Sequence, residues 1–210
     1  GSAIAGGGDN AAWGGAAATN MVLGGASSII SGSTVTAAGA GMSNVSVTSS
    51  NSAELTATTA YNAETGGGGA TLAFNSVGWN PSNLLFNAID TFIGQSALAN
   101  TNPVDATAQI TNSDVTAAGD IIVDAVDVAT ITADTSNATT AAGGIPQGDE
   151  AGSKGLILAL NKVYGSAHAE ISGTRAAGVL DEILRAGGDV FVTAEQDFRA
   201  KGPSGPEVLR

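Results

Sequence analysis

The chain has 210 residues, a formal net charge of -12, no Cys and only 4% aromatic residues. Without Cys it has no disulfide, thiolate metal site or Cys nucleophile. Its first 153 residues hold 12 of the 19 acidic groups and no Lys or Arg, which disfavours nucleic acid and other polyanions, because these need cations to offset their charge.

Hydrophobic residues make up 43% of the chain, and Ala is the largest contributor. A core of Ala, Val, Ser and Thr suits thin, regularly stacked layers better than a compact globule built on large side chains. No apolar run approaches the roughly 18 residues that span a bilayer as a helix, and no basic-then-apolar leader opens the sequence. Gly1-Ser2 reads as a cloning remnant, residues 1–14 as a flexible lead-in or cap, and the whole as a fragment excised from something longer.

The first element with a signature is "SIISGSTVTAAG" (Ser28 to Gly39), short period-two runs broken by Gly and Ser, which is strand and turn chemistry. It recurs as "AQITNSDVTAAG" (Ala108 to Gly119), with Ile30, Ser33, Val35 and the whole TAAG matching at an offset of 80. The offset then becomes 76, so the first copy carries four extra residues, and Val45, Val47, Ala53, Leu55 and Ala57 match Ile121, Val123, Ala129, Ile131 and Ala133. A third copy contains "AHAEISG" (Ala167 to Gly173) and "AGGDVFVTAEQD" (Ala186 to Asp197), where Ile171, Val190 and Val192 answer Ile110, Ile121 and Val123. Upstream of each copy lies an Asn-x-Val, at Asn20, Asn75 and Asn161.

These copies predict an all-β chain, a parallel β-helix (β-solenoid) spanning residues 15–200 as a single unit of three degenerate repeats, about 15–65, 66–140 and 153–200, with a flexible tail at 201–210. Ile110 and Ile131 lie 21 residues apart, a spacing that suits one coil and predicts that they stack. Asp127 falls in the phase of Ile121, Val123, Ala129 and Ile131. Burying its carboxylate is costly, so a bend is expected there, with Asp120, Asp124 and Asp127 pointing away from the core. Short helical insertions are expected near 81–93, where "NPSNLLFNAIDTFIG" offers a cap, a first-turn Pro and an apolar face, and near 177–185, within "AAGVLDEILRAGG".

The segments "GSTVTAAG", "GDIIVDAVDVATITA", "KGLILALNKVYGSAHAEISG" and "ATLAFNSVGWNPSNLLFNAIDTFIG" resemble the tandem β-solenoid repeats of giant bacterial extracellular and cell-surface proteins, including LEPR-XLL-type and filamentous-haemagglutinin-like adhesins. That resemblance implies a secreted, bacterial, structural stalk or filament whose partners are neighbouring repeats of the same parent chain. It carries no catalytic motif.

The residues with possible chemistry read more simply as structure, and no catalytic, cofactor-binding or metal-ligating residue is assigned. His168, the only histidine, sits two residues from Glu170 on an outward face, whereas a zinc site needs three or four converging ligands. Asp120, Asp124, Asp127 and Asp134 would have to assemble six to eight oxygens for calcium, and the glycine-rich calcium-binding nonapeptide is absent. "GGGGATLAF" lacks the Gly-Lys-Ser/Thr ending of a phosphate loop, and no G-x-S-x-G elbow accompanies His168. Trp13, Trp79, Tyr61 and Tyr164 are too scattered for a sugar-stacking platform. The second expectation is a glycan-, ice- or protein-binding module, which regular ranks of outward Thr would favour; Thr130 and Thr132 make only a short rank. A β-helix polysaccharide-degrading enzyme comes third.

Overall fold

A computed structural model describes residues 14–39, 41–63, 69–78, 103–139, 155–173, 184–201 and 208–209. Every regular element among them is a strand. The first passage through the pattern gives β1 (Gly14–Val22), β2 (Ala26–Ser31), β3 (Thr34–Ala37) and β4 (Val45–Ala63). The second gives β5 (Gly69–Val77), β6 (Ala106–Thr111), β7 (Asp114–Ala117) and β8 (Ile121–Thr139). The third gives β9 (Gly155–Val163), β10 (Ala167–Ser172), β11 (Leu184–Ala186) and β12 (Val190–Lys201), followed by the two-residue β13 (Val208–Leu209).

Equivalent strands of the three passages pair side by side, giving sheets β1-β5-β9, β2-β6-β10, β3-β7-β11 and β4-β8-β12 with β13 beyond β12. All pairs are parallel except β12 with β13. The arrangement is solenoid-like: each passage is one coil of four strands, and its backbone hydrogen bonds run to the coil above or below. Parallel strands need such long return connections, and here the rest of the coil supplies them.

Residues matched by sequence are the ones that share a row. Ile30, Ile110 and Ile171 pair in one row, Asn20, Asn75 and Asn161 in another, and Val45, Ile121 and Val190 in a third. The extra residues of the first copy fall in the corner between β3 and β4, where Gly119 donates its N–H to the Ser43 carbonyl of the longer loop. The β2–β3 and β6–β7 corners each use a left-handed residue, Gly32 at φ 57° and Asn112 at φ 50°, and Asn is among the few non-glycine residues that adopt this conformation readily.

The long β8 forms one wall, and β5 and β6 lie against its two halves. Val45, Val47, Ala106, Ala108, Ile110, Val115, Ile121 and Val123 form one apolar cluster. Ala53, Leu55, Val77, Val104, Ala129 and Ile131 form the next. Ile110, Ile121, Ile131, Val77, Val104, Val115 and Val123 are each under 2% exposed, and burying each such side chain contributes about 1.5 to 3 kcal/mol.

Three expectations are corrected. Ile110 and Ile131 do not stack: Ile110 pairs with Ile30 and Ile171, while Ile131 pairs with Leu55 and Ala200, on different walls of the same coil. The 21-residue spacing measures the path from one wall to the other, not a full turn. Strand β8 runs unbroken through Asp127, which is fully buried; the break lies in the opposing wall, where Val104 and Gly165 turn the chain between sheets. The expected helix near 177–185 does not include Leu184 and Arg185, which pair with Val115 and Thr116 in β11. The rest of that segment and all of 81–93 lie outside the described residues. No helix among the described residues is long and apolar enough to cross a membrane.

Candidate functional site

The polar residues of interest fall into rows that run along the stack. In β1, β5 and β9 the Asn of each Asn-x-Val faces inward. Asn20 donates from Nδ2 to Asn75 Oδ1 at 3.0 Å, and Asn75 donates to Asn161 Oδ1 at 2.9 Å. Each also reaches across the core to the far wall, Asn20 to the Thr56 carbonyl at 2.6 Å, Asn75 to that of Thr132 at 2.6 Å, and Asn161 to that of Lys201 at 3.3 Å. Asn75 is fully buried with both ends of its amide engaged, which is how a polar group is accommodated inside a thin core.

A second inward row joins Asn51, Asp127 and Gln196. Asn51 Nδ2 donates to Asp127 Oδ1 at 2.9 Å, while Asp127 Oδ2 has no hydrogen-bond partner among the described residues. Gln196 turns instead to the Gly165 carbonyl at 2.7 Å. Burial pushes the Asp127 carboxyl above its ordinary pKa; the Asn51 bond opposes that shift and the Asp105 charge adds to it. The carboxyl sits where the two apolar clusters meet, and a Cβ on Gly165 would lie 2.3 Å from the Val104 carbonyl oxygen and 2.6 Å from Asp127 Oδ2, so the corner closes this tightly only around a glycine.

A third row lies at the corner ahead of β4, β8 and β12. The Asp120 N–H donates to Asn44 Oδ1 at 2.8 Å, and the Asp189 N–H donates to Asp120 Oδ1 at 2.9 Å. The Gly119-Asp120 and Gly188-Asp189 corners are therefore tied from coil to coil. Outside the core, Asp124 accepts a hydrogen bond from the Thr193 hydroxyl in the neighbouring coil, and Asp134 is exposed beside Thr58.

His168 and Glu170 share the outer face of β10, with Nε2 and Oε2 3.0 Å apart and side chains 53% and 41% exposed. The His168 bond, with help from Ser172, holds the Glu170 carboxyl below its ordinary range, and Gln109 of the next coil donates to the same oxygen at 3.3 Å. Among the described residues no three His, Asp or Glu side chains come together as a metal site. Thr130 and Thr132 do face outward, and Thr132 flanks Thr56, but Thr130 is flanked by Glu54 and Arg199, so charges interrupt the rank. Tyr164 is exposed at the corner after β9; Trp13, Trp79 and the Tyr61 side chain lie outside the described residues.

Sequence reading found the Asn-x-Val recurrence but missed that its Asn forms an internal ladder, and it placed Asp127 on the wrong face. The usable signal was parity: Asn20 is two residues from Val22 and Asn75 two from Val77, so Asn and Val share a face.

Together the coils and rows define an all-β, solenoid-like protein of stacked parallel coils whose polar groups connect one coil to the next. No family model matches the chain, and the comparisons with curated proteins and with solved structures return no match either.

Proposed function

We propose that the chain is a structural repeat segment, part of a stalk or filament, of a secreted or cell-surface bacterial protein of the adhesin type. The observation that carries this reading is the coil-to-coil register: Asn20-Asn75-Asn161 and Asn44-Asp120-Asp189 hold successive coils to one another. Side chains that elsewhere do chemistry are here spent on lengthening the stack. A parallel stack of this kind transmits tension through strand-to-strand hydrogen bonds, and its acidic composition keeps it soluble as it grows. Its partners are neighbouring repeats of the same parent chain. The test is antibody labelling of intact producing cells combined with electron microscopy of the parent protein. Surface label on extended rods is expected; label only after lysis, or turnover of a polysaccharide by the purified chain, overturns the reading.

A further inference from the structure

The two ends of the stack are complementary to each other. Among the described residues nothing pairs with the outer edges of β1, β2, β3 and β4, or with those of β9, β10 and β11. The edge of β12 is covered only where Arg199 and Ala200 meet β13. Inward residues of the third coil are uncovered where those of the middle coil are buried: Val190 and Val192 are each 46% exposed, whereas their row-mates Ile121 and Val123 are 0% exposed; Val45 and Val47 of the first coil are 7% and 4% exposed. Terminal coils that meet water carry a polar outer face, whereas Val190 and Val192 give the third coil an apolar one.

What fits is set by direction. The Asn ladder always donates from one coil to the next, Asn20 to Asn75 to Asn161, so it ends with an amide nitrogen at the third coil and an amide oxygen at the first. The corner ladder donates the other way, from the Asp189 N–H to Asp120 and from the Asp120 N–H to Asn44, ending with a carboxylate at the third coil and the Asn44 N–H at the first. Because Ile121 pairs with both Val190 and Val45, a first coil laid on a third coil in the same register brings Asn161 to Asn20, Asp189 to Asn44, and Val190 and Val192 to Val45 and Val47. It also sets Arg199 beside Glu54, and no acidic residue of the third coil falls opposite that Glu.

We infer that the third coil of one copy docks on the first coil of a second copy, so that the chain assembles head to tail with the ladders continuing across the junction. This rests on the stalk reading and adds that the stack extends between molecules. The interface is heterologous and does not close, so assembly is open-ended. The two β13 residues compete with the incoming Glu54 and Leu55 for the end of β12, which slows addition without blocking the edge ahead of it.

Edge prolines test this, since Pro removes a ladder donor. The Val45 N–H points to the second coil, so by strand alternation those of Thr48 and Ser50 point to the open edge. The Ile121 N–H points to the third coil, so that of Ala194, in the same phase as Val190, points outward from it. Sedimentation velocity of the full chain should show mass rising with concentration, with no fixed stoichiometry. Ser50→Pro and Ala194→Pro, each shown to be folded by circular dichroism, should stay monomeric alone, and an equimolar mixture should give a one-to-one dimer and nothing larger. Should Ser50→Pro fail to fold, Thr48→Pro takes its place. A wild-type chain that remains monomeric at every concentration, a proline variant that grows like wild type, or a mixture that gives no dimer overturns the inference. None of these results touches the stalk reading, which cell-surface labelling tests separately.

Discussion

Replacing Asn75 by Ala removes the central rung of the Asn ladder. The side chain donates to Asn161 Oδ1 and to the Thr132 carbonyl, at 2.9 and 2.6 Å, and accepts from Asn20 at 3.0 Å. At about 1 kcal/mol net for each intramolecular hydrogen bond, the loss is about 3 kcal/mol, more than a hundredfold in the unfolding equilibrium. Ala cannot take over the bond to Asn161 Oδ1 or the one to the Thr132 carbonyl, so the true cost lies at or above that figure. Asn20→Ala, at the end of the row, loses two bonds on an exposed side, and should cost about 1 to 2 kcal/mol. Urea unfolding measures both as midpoint shifts at constant slope. An Asn75→Ala cost below about 1 kcal/mol, or one smaller than that of Asn20→Ala, would refute the claim that the ladder holds the coils together.

Three further outcomes follow from the same geometry. The Asp127 carboxyl has a folded pKa raised by burial, so the stability it contributes is fully present below its unfolded pKa and is lost as pH rises through the folded value. Asp127→Asn should therefore stabilise the chain at neutral pH, by about 1 to 2 kcal/mol, and the gain should shrink in acid; a pH-independent difference in thermal unfolding contradicts this. Gly165→Ala drives a Cβ to 2.3 Å from the Val104 carbonyl oxygen and should cost about 2 kcal/mol, and a midpoint within error of wild type would show that the corner yields. Ile110→Ala, at 1% exposure, should cost about 3 kcal/mol by denaturant titration, while Ile29→Ala next to it, at 55% exposure, should change stability by less than about 0.5 kcal/mol. Equal effects would mean that β2 and β6 face the other way.

The rows were legible in sequence because stacked positions carry similar residues. Ile30 and Ile110, Val35 and Val115, and Asn20, Asn75 and Asn161 occupy equivalent environments in successive coils, and the offset changes only in the connections between strands, the β3–β4 corner among them, where added residues are absorbed without disturbing a strand. The coil length was not legible, because the Ala-x-Ile of β6 (Ala108 and Ile110) and that of β8 (Ala129 and Ile131) face the same core from opposite sides and so resemble one another without being stacked. Asp127 was misplaced for a related reason: the cost of burying a carboxylate predicts a bend, but the cost is reduced when a neighbouring coil supplies Asn51, and no single strand reveals its neighbour. The donor and acceptor ends of the ladders were invisible for the same reason, since direction along a row exists only once the coils are stacked.

The most direct test of the account is short-range thiol cross-linking, for which a chain without native Cys is well suited. Ser27 and Thr107 face outward in one row of the β2-β6-β10 sheet, whereas a coil one-quarter that length would set Thr107 beside Val128. Ser27→Cys/Thr107→Cys should be bridged rapidly by a short bifunctional reagent and Thr107→Cys/Val128→Cys should not. Bridging of the second pair in place of the first would contradict this.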